Sequence, residues 1–117
     1  MPTVELSVIF QLSAAHFLTD YQGECEQLHG HNYKIIVSIE DTLKKNGLVL
    51  DFKAIKKIYR EKVHTKLDHT NLNDLLAEQP SAENLSIWIW KALQNDLPLK
   101  SITVYETDQC FCKYEGK

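Results

Sequence analysis

Breakers are scarce in this sequence: four glycines and three prolines in 117 residues. So few leave no Gly/Ser-rich linker, internal repeat or low-complexity tract. The length falls near the mode for one folding unit, and a single domain over 1–117 is expected. Cysteine is scarce as well, at Cys25, Cys110 and Cys112. An odd number argues against a disulfide framework and for thiols kept reduced. The opening decapeptide MPTVELSVIF has no basic stretch ahead of an apolar one, so it does not read as a secretory leader, and a cytoplasmic protein is expected. No apolar run nears the ~18 residues of a membrane span. An excess of one charge is missing too: thirteen basic against sixteen acidic residues give −3, which argues against nucleic acid or an anionic membrane as partner.

What is present is enough to build a core. Hydrophobic residues make up 44% of the chain and charged ones 25%, the proportions of a globular domain. Over residues 3–14, Val4, Leu6, Val8, Phe10, Leu12 and Ala14 alternate with Thr3, Glu5, Ser7, Gln11 and Ser13, with Ile9 the exception. That period of two predicts a half-buried strand. Residues 32–40 repeat it with Tyr33, Ile35, Val37 and Ile39. The intervening 17–30 lacks periodicity and predicts a long loop, a feature usually tied to function. Asp51 is placed to cap a helix through about Leu67, with Phe52, Ile55, Ile58, Tyr59 and Val63 on its apolar face. A second helix starts near Ser81 with Leu85, Trp88, Ile89, Ala92 and Leu93 inward, and Pro98 closes it. Ile87 and Trp90 point off that stripe, either partly buried or toward another subunit. Strands at 102–106 and 111–114 complete an α+β order of strand, strand, helix, helix, strand, strand. It predicts a four-stranded antiparallel sheet with two helices on one face, its edges in need of cover.

His16 ends the first strand, and His29-Gly30-His31 opens the second. Residues two apart on a strand face one side, so His29 and His31 can converge, and a hairpin brings His16 beside them. Three imidazoles with a vacant fourth position describe a catalytic zinc site; with Cys25 as fourth ligand they describe a structural one. Ordinary surface or core histidines are the third possibility. Cys25 is a thiolate candidate beside that ion or a small residue under the loop. Cys110 and Cys112 read as packing residues. Asp68-His69 is either an imidazole oriented by a carboxylate for proton transfer or a polar helix end. Glu106 is either outward-facing or an anchor for paired N–H donors. His64, on the exposed part of the first helix, has no evident role. Lys34 and Lys53 are equally placed to meet phosphate.

The strings Leu12-Ser13-Ala14-Ala15-His16, Cys25-Glu26-Gln27-Leu28-His29-Gly30-His31, Leu67-Asp68-His69-Thr70-Asn71-Leu72-Asn73, Pro80-Ser81-Ala82-Glu83-Asn84 and Val104-Tyr105-Glu106-Thr107 together resemble the 6-pyruvoyltetrahydropterin synthase family, from about residue 3 to 115. Within it the chain is most similar to the bacterial 6-carboxy-5,6,7,8-tetrahydropterin synthase branch of queuosine biosynthesis. The resemblance implies the tunnelling fold, with subunits joined edge to edge into trimeric barrels, commonly stacked as hexamers, and active sites at the interfaces. It implies zinc on His16, His29 and His31, and proton handling by Cys25, Asp68 and His69, the last two from a neighbouring subunit. It further implies pterin contacts from Glu106, Ser81 and Glu83. The implied reaction is zinc-dependent conversion of 7,8-dihydroneopterin triphosphate to the 6-carboxy product, releasing acetaldehyde and triphosphate. The family usually has Thr where this chain has Ser81. Cys25 and Glu26 also stand side by side, and folate-directed members carry a Glu in a Glu-x-x-His-Gly-His string and make 6-hydroxymethyl-7,8-dihydropterin. Glu26 is thus either a second base or a solvated loop carboxylate. A 6-pyruvoyltetrahydropterin synthase activity and a non-catalytic zinc- or pterin-binding module complete the alternatives.

Overall fold

The computed structural model describes residues 1–19 and 27–117. Alternation carries the first two strands further than expected. Strand β1 spans Thr3–His16 and β2 spans His29–Thr42, paired antiparallel along their whole length from Thr3 opposite Thr42 to His16 opposite His29. The His-Gly-His string is therefore strand rather than loop. The core-facing phase of β1 runs Val8, Leu12, Ala14 into His16, and that of β2 runs back from Ile39, Val37, Ile35 and Tyr33 to His31 and His29. All three histidines share the face that carries the hydrophobic core.

The first helix is continuous but not uniform: α1 (Phe52–Tyr59), a π-helical turn (Arg60–His64) and α2 (Thr65–Leu67). Asp51 caps it as expected, its carboxylate accepting from the Lys53 N–H at 2.8 Å. The wide turn follows from the apolar spacing. Ile55, Tyr59, Val63 and Leu67 recur every four residues, and all four are buried. Steps of four overshoot an α-helical turn by about 40° each, and a turn of wider pitch takes that drift back. Phe52, expected on the same face, is the first residue of α1 and is 49% exposed.

A short strand β3 (Thr70–Asn71) then lies parallel to β1, Thr70 opposite Ala14 and Asn71 opposite Ala15. The sheet is consequently five-stranded, in the order β3-β1-β2-β4-β5, where β4 spans Leu99–Tyr105 and β5 spans Phe111–Tyr114. Two residues are too few to show a periodicity, which is why four strands were expected. Helix α3 (Ala82–Leu93) packs on β4 and β5. The Ser81 hydroxyl caps it by accepting from the Asn84 N–H at 3.1 Å. The helix ends at Leu93, before Pro98, in a turn closed by Leu97 N–H to Leu93 C=O. Trp90 has its partners within the chain: it donates to Gln94 and packs edge-on against Tyr114. Gly116, at φ 85°, passes so close that a Cβ there would lie 2.6 Å from the Trp90 ring.

Two side-chain amides tie down the chain beyond β1. Asn73 accepts from the Phe17 N–H and donates to its carbonyl, both at 2.9 Å, and Gln79 does the same for Thr19. Among the described residues no helix is long and apolar enough to cross a membrane.

Candidate metal and pterin site

The histidine cluster sits where β1 and β2 end. His16 is 2% exposed, and its Nδ1 lies 2.7 Å from the Pro80 carbonyl oxygen. The Nδ1 of His29 lies 2.8 Å from the Gln27 carbonyl. A carbonyl can only accept, so both rings carry their proton on Nδ1 and turn the Nε2 lone pair inward. Those two Nε2 atoms are 3.1 Å apart. Facing lone pairs repel unless a cation or a shared proton lies between them. Outer-shell bonds that fix the tautomer in this way are what metal-ligating histidines make. His31 completes the set: the three ligand atoms lie within 4.8 Å of one another, and the rings stand edge to face at 4.7–5.0 Å. The donor set fits a divalent metal held by neutral imidazole nitrogen, with zinc among the metals such a set suits. Cys25 and Glu26 fall outside the described residues.

A carboxylate borders this cluster. Glu106, one residue past β4, places Oε1 3.5 Å from the His31 Nε2. Together with Glu83, Ala82, Cys110, Phe111 and Cys112 it lines a cleft of about 280 Å³. Two acidic side chains in one cleft suit a ligand rich in N–H donors. The Ser81 hydroxyl is engaged as the helix cap described above, one residue from that cleft. Sequence reasoning had placed Tyr33 only among the apolar residues. It is the next core-facing position after His31, its ring 5.4 Å from that imidazole and 6.0 Å from His16. Burial above all, and then the Glu106 charge, pushes its phenol well up, so it stays protonated as a donor. Its hydroxyl finds no hydrogen-bond partner among the described residues. The signal for it was available, since it continues the two-residue phase of His29 and His31. Of the two cysteines expected to pack, Cys112 does so, with Sγ 3.6 Å from Ser86 Oγ, whereas Cys110 is exposed because it precedes β5. Lys34 is engaged over the Tyr105 ring, 4.1 Å from its centroid.

Asp68 and His69 form a second centre. Asp68 Oδ1 accepts from the Ser13 N–H at 3.0 Å, and Oδ2 accepts from the His69 Nδ1 at 2.7 Å. The Ser13 backbone bond, with the His69 hydrogen bond and the neighbouring imidazoles behind it, holds the Asp68 carboxyl below its usual range against the opposing effect of burial. The His69 backbone is at φ 59°, a left-handed conformation that costs a side-chain-bearing residue energy. Its N–H is tied to the Ser13 carbonyl, which fixes that conformation. The imidazole is 81% exposed and opens onto a recess of about 520 Å³ whose other wall carries Gly30, His31 and Asn32.

The comparison with known proteins agrees with this geometry. Residues 5–117 match the 6-pyruvoyl tetrahydropterin synthase family. A 6-carboxy-5,6,7,8-tetrahydropterin synthase of Haemophilus influenzae is 30% identical over 138 aligned residues, covering 95% of this chain and 98% of its own. A 6-pyruvoyl tetrahydrobiopterin synthase of Dictyostelium discoideum is 38% identical, covering 81% of this chain and 76% of its own. The structure of Caenorhabditis elegans 6-pyruvoyl tetrahydropterin synthase superposes with a TM-score of 0.88 at 24% identity, over 100% of this chain and 98% of that one. With strand-borne histidines, an acidic cleft beside them and a match across nearly its whole length, the chain belongs to the 6-pyruvoyl tetrahydropterin synthase family.

Proposed function

We propose that this chain is a zinc-dependent 6-carboxy-5,6,7,8-tetrahydropterin synthase serving queuosine biosynthesis in the cytoplasm. It would convert 7,8-dihydroneopterin triphosphate and one water to 6-carboxy-5,6,7,8-tetrahydropterin, acetaldehyde and triphosphate. The observation that carries the reading is the contact between two sites: the three-histidine cluster and the acidic cleft meet at His31 and Glu106, 3.5 Å apart. A pterin gripped at one end would thus present its side chain to the other. A relative bearing the carboxy name matches across nearly all of both chains, and relatives bearing the pyruvoyl name match at similar identity, so the product decides the branch.

Each residue has a role in this reading. His16, His29 and His31 hold the metal, which supplies Lewis-acid polarisation of side-chain hydroxyls. Glu106, ionised, accepts the paired N–H groups of the pterin and fixes its orientation. Glu83 and the Ser81 hydroxyl contribute further polar contacts. Cys25 takes a side-chain proton as thiolate. His69 serves as partner acid or base, its ring oriented by Asp68 through Nδ1 so that Nε2 faces the recess. The assembly is a homo-oligomer, a dimer of trimers, with Asp68 and His69 offered to a neighbour's metal. Beyond Ala14 and Ala15 the outer edge of β1 pairs with no strand among the described residues, and β5 is the other edge. Joining these two edges between copies would close a barrel.

The deciding measurement is product identity by mass spectrometry, using zinc-loaded protein and 7,8-dihydroneopterin triphosphate. Carboxytetrahydropterin and acetaldehyde in equal amounts are expected. Hydroxymethyldihydropterin that disappears in Glu26→Ala would make Glu26 a second base in a bifunctional or folate-directed enzyme. A 6-pyruvoyl product would move the chain to the other named branch. Binding without turnover would leave only a zinc- and pterin-binding module.

A further inference from the structure

Asp68 faces a second imidazole that neither the motifs nor the reading above uses. His64 closes the π-helical turn, and its Nε2 lies 3.4 Å from Asp68 Oδ2, the same oxygen that accepts from His69 at 2.7 Å. The two residues are four apart, and the Asp68 N–H bonds to the His64 carbonyl, so one helical turn holds their spacing. On its other side His64 meets Tyr59, ring centroids 6.4 Å apart. Tyr59 is itself fixed by a stack on Phe10 at 3.7 Å. Its hydroxyl is buried and has no hydrogen-bond partner among the described residues. The His64 imidazole thus has an aromatic neighbour as well as the carboxylate.

We propose that His64 is a positioning residue for the Asp68–His69 pair, sharing the Asp68 carboxylate and so setting how tightly His69 holds its proton. The inference rests on the reading of His69 as the proton-handling group. One oxygen facing two rings, accepting from His69 at 2.7 Å with the His64 Nε2 3.4 Å away, offers each less than it would offer one alone, and two imidazolium ions beside one carboxylate repel. The protonation of the two rings is therefore coupled. Other groups around His64 cannot take the same part. Arg60 and Lys56 lie along its own helix and share a cleft with it, and lysine and arginine as residue types titrate far above histidine. Tyr59 keeps its proton there, burial and the Asp68 charge raising its phenol. From β1 the neighbours are Gln11 and Ser13, neither titratable. Lys62, on the same turn, is paired with Asp96 instead.

The test is an NMR titration of the histidine ring protons in the full chain, without substrate, with His69 and His64 assigned from single variants. Removing the competing cation in His64→Phe should raise the His69 midpoint by about 0.2–0.7 of a pH unit, the scale of a half-exposed ion pair. His64→Gln, which keeps an N–H donor but no charge, should raise it less. Linkage requires the converse, so His69→Gln must also raise the His64 midpoint, by about the amount His64→Gln raises that of His69. An unmoved His69 midpoint in a folded His64→Phe chain overturns the proposal. If that variant does not fold, an unmoved His64 midpoint in His69→Gln does the same. The acid limb of kcat/KM should follow the His69 shift. Wild-type protein that never turns over defeats the catalytic reading while leaving the ring coupling measurable, and turnover without coupling defeats only the role of His64.

Discussion

His16, His29 and His31 ride on two fourteen-residue strands paired end to end, whereas Asp68 and His69 hang from the end of a helix that has already changed pitch once. The first centre is stiff because each histidine is one more step of a regular pleat, held by ladder bonds and backed by carbonyls at Pro80 and Gln27. The second is held by a few particular bonds. The Ser13 N–H and C=O clamp Asp68 and His69, and the price of the arrangement is a histidine in left-handed backbone. Strand-borne ligands suit a metal, whose bond lengths leave little tolerance. A carboxylate–imidazole pair on an irregular turn suits proton transfer, which needs an exposed ring held at one nitrogen.

Substitutions at three positions sharpen or break that contrast. His16→Ala should have the largest effect, lowering metal affinity by about 1,000-fold or more in a chelator competition, beyond the 10–100-fold typical of outer-shell partners. Its secondary structure should stay intact, because the pleat does not depend on the ring. Unchanged affinity would mean that the cluster holds no metal. Asp68→Asn should lower turnover by about 100-fold or more with metal binding unchanged, the scale of a general acid–base contribution.

Asp68→Asn also tests stability against pH. A carboxyl held below its ordinary value stabilises the fold fully above about pH 4, and that contribution fades as pH falls through the lowered value. Urea unfolding should therefore show wild type ahead of the variant at neutral pH, with the gap closing toward pH 2. The smallest effect is expected at the strained backbone. His69→Asn should unfold within about 0.5 kcal/mol of wild type, since asparagine tolerates the left-handed region, while the β-branched His69→Val should lose at least about 1 kcal/mol. Equal losses would show that the conformation carries no strain.

The two centres also differed in how far they could be read beforehand. Extending the alternation of Val8, Leu12 and Ala14 by one step reaches His16, and extending that of Tyr33 reaches His31 and His29. Their meeting follows from the hairpin alone. The Asp68–His69 motif was visible as a pair and through the family resemblance, yet its clamp on Ser13 joins residues 55 apart and no spacing predicts it. Strand β3 went unread because two residues carry no period, and its place beside β1 depends on that same clamp. The π turn left a trace in the four-residue recurrence of Ile55, Tyr59, Val63 and Leu67. That trace becomes legible only against the requirement that all four face one core.

Sequence by itself therefore determined the α+β order, the cap at Asp51, the start of the second helix near Ser81, the three-histidine cluster and the family. These depend on local periodicity and on short motifs, which the covalent chain carries within a few residues. Tertiary structure alone decided that Glu106 meets His31, that Tyr33 faces the cluster and that His64 shares the Asp68 carboxylate. Those contacts depend on strand register, on a change of helical pitch and on one left-handed residue. Each is settled only when the whole core packs together, because only then does burial of apolar side chains outweigh the cost of the irregular backbone.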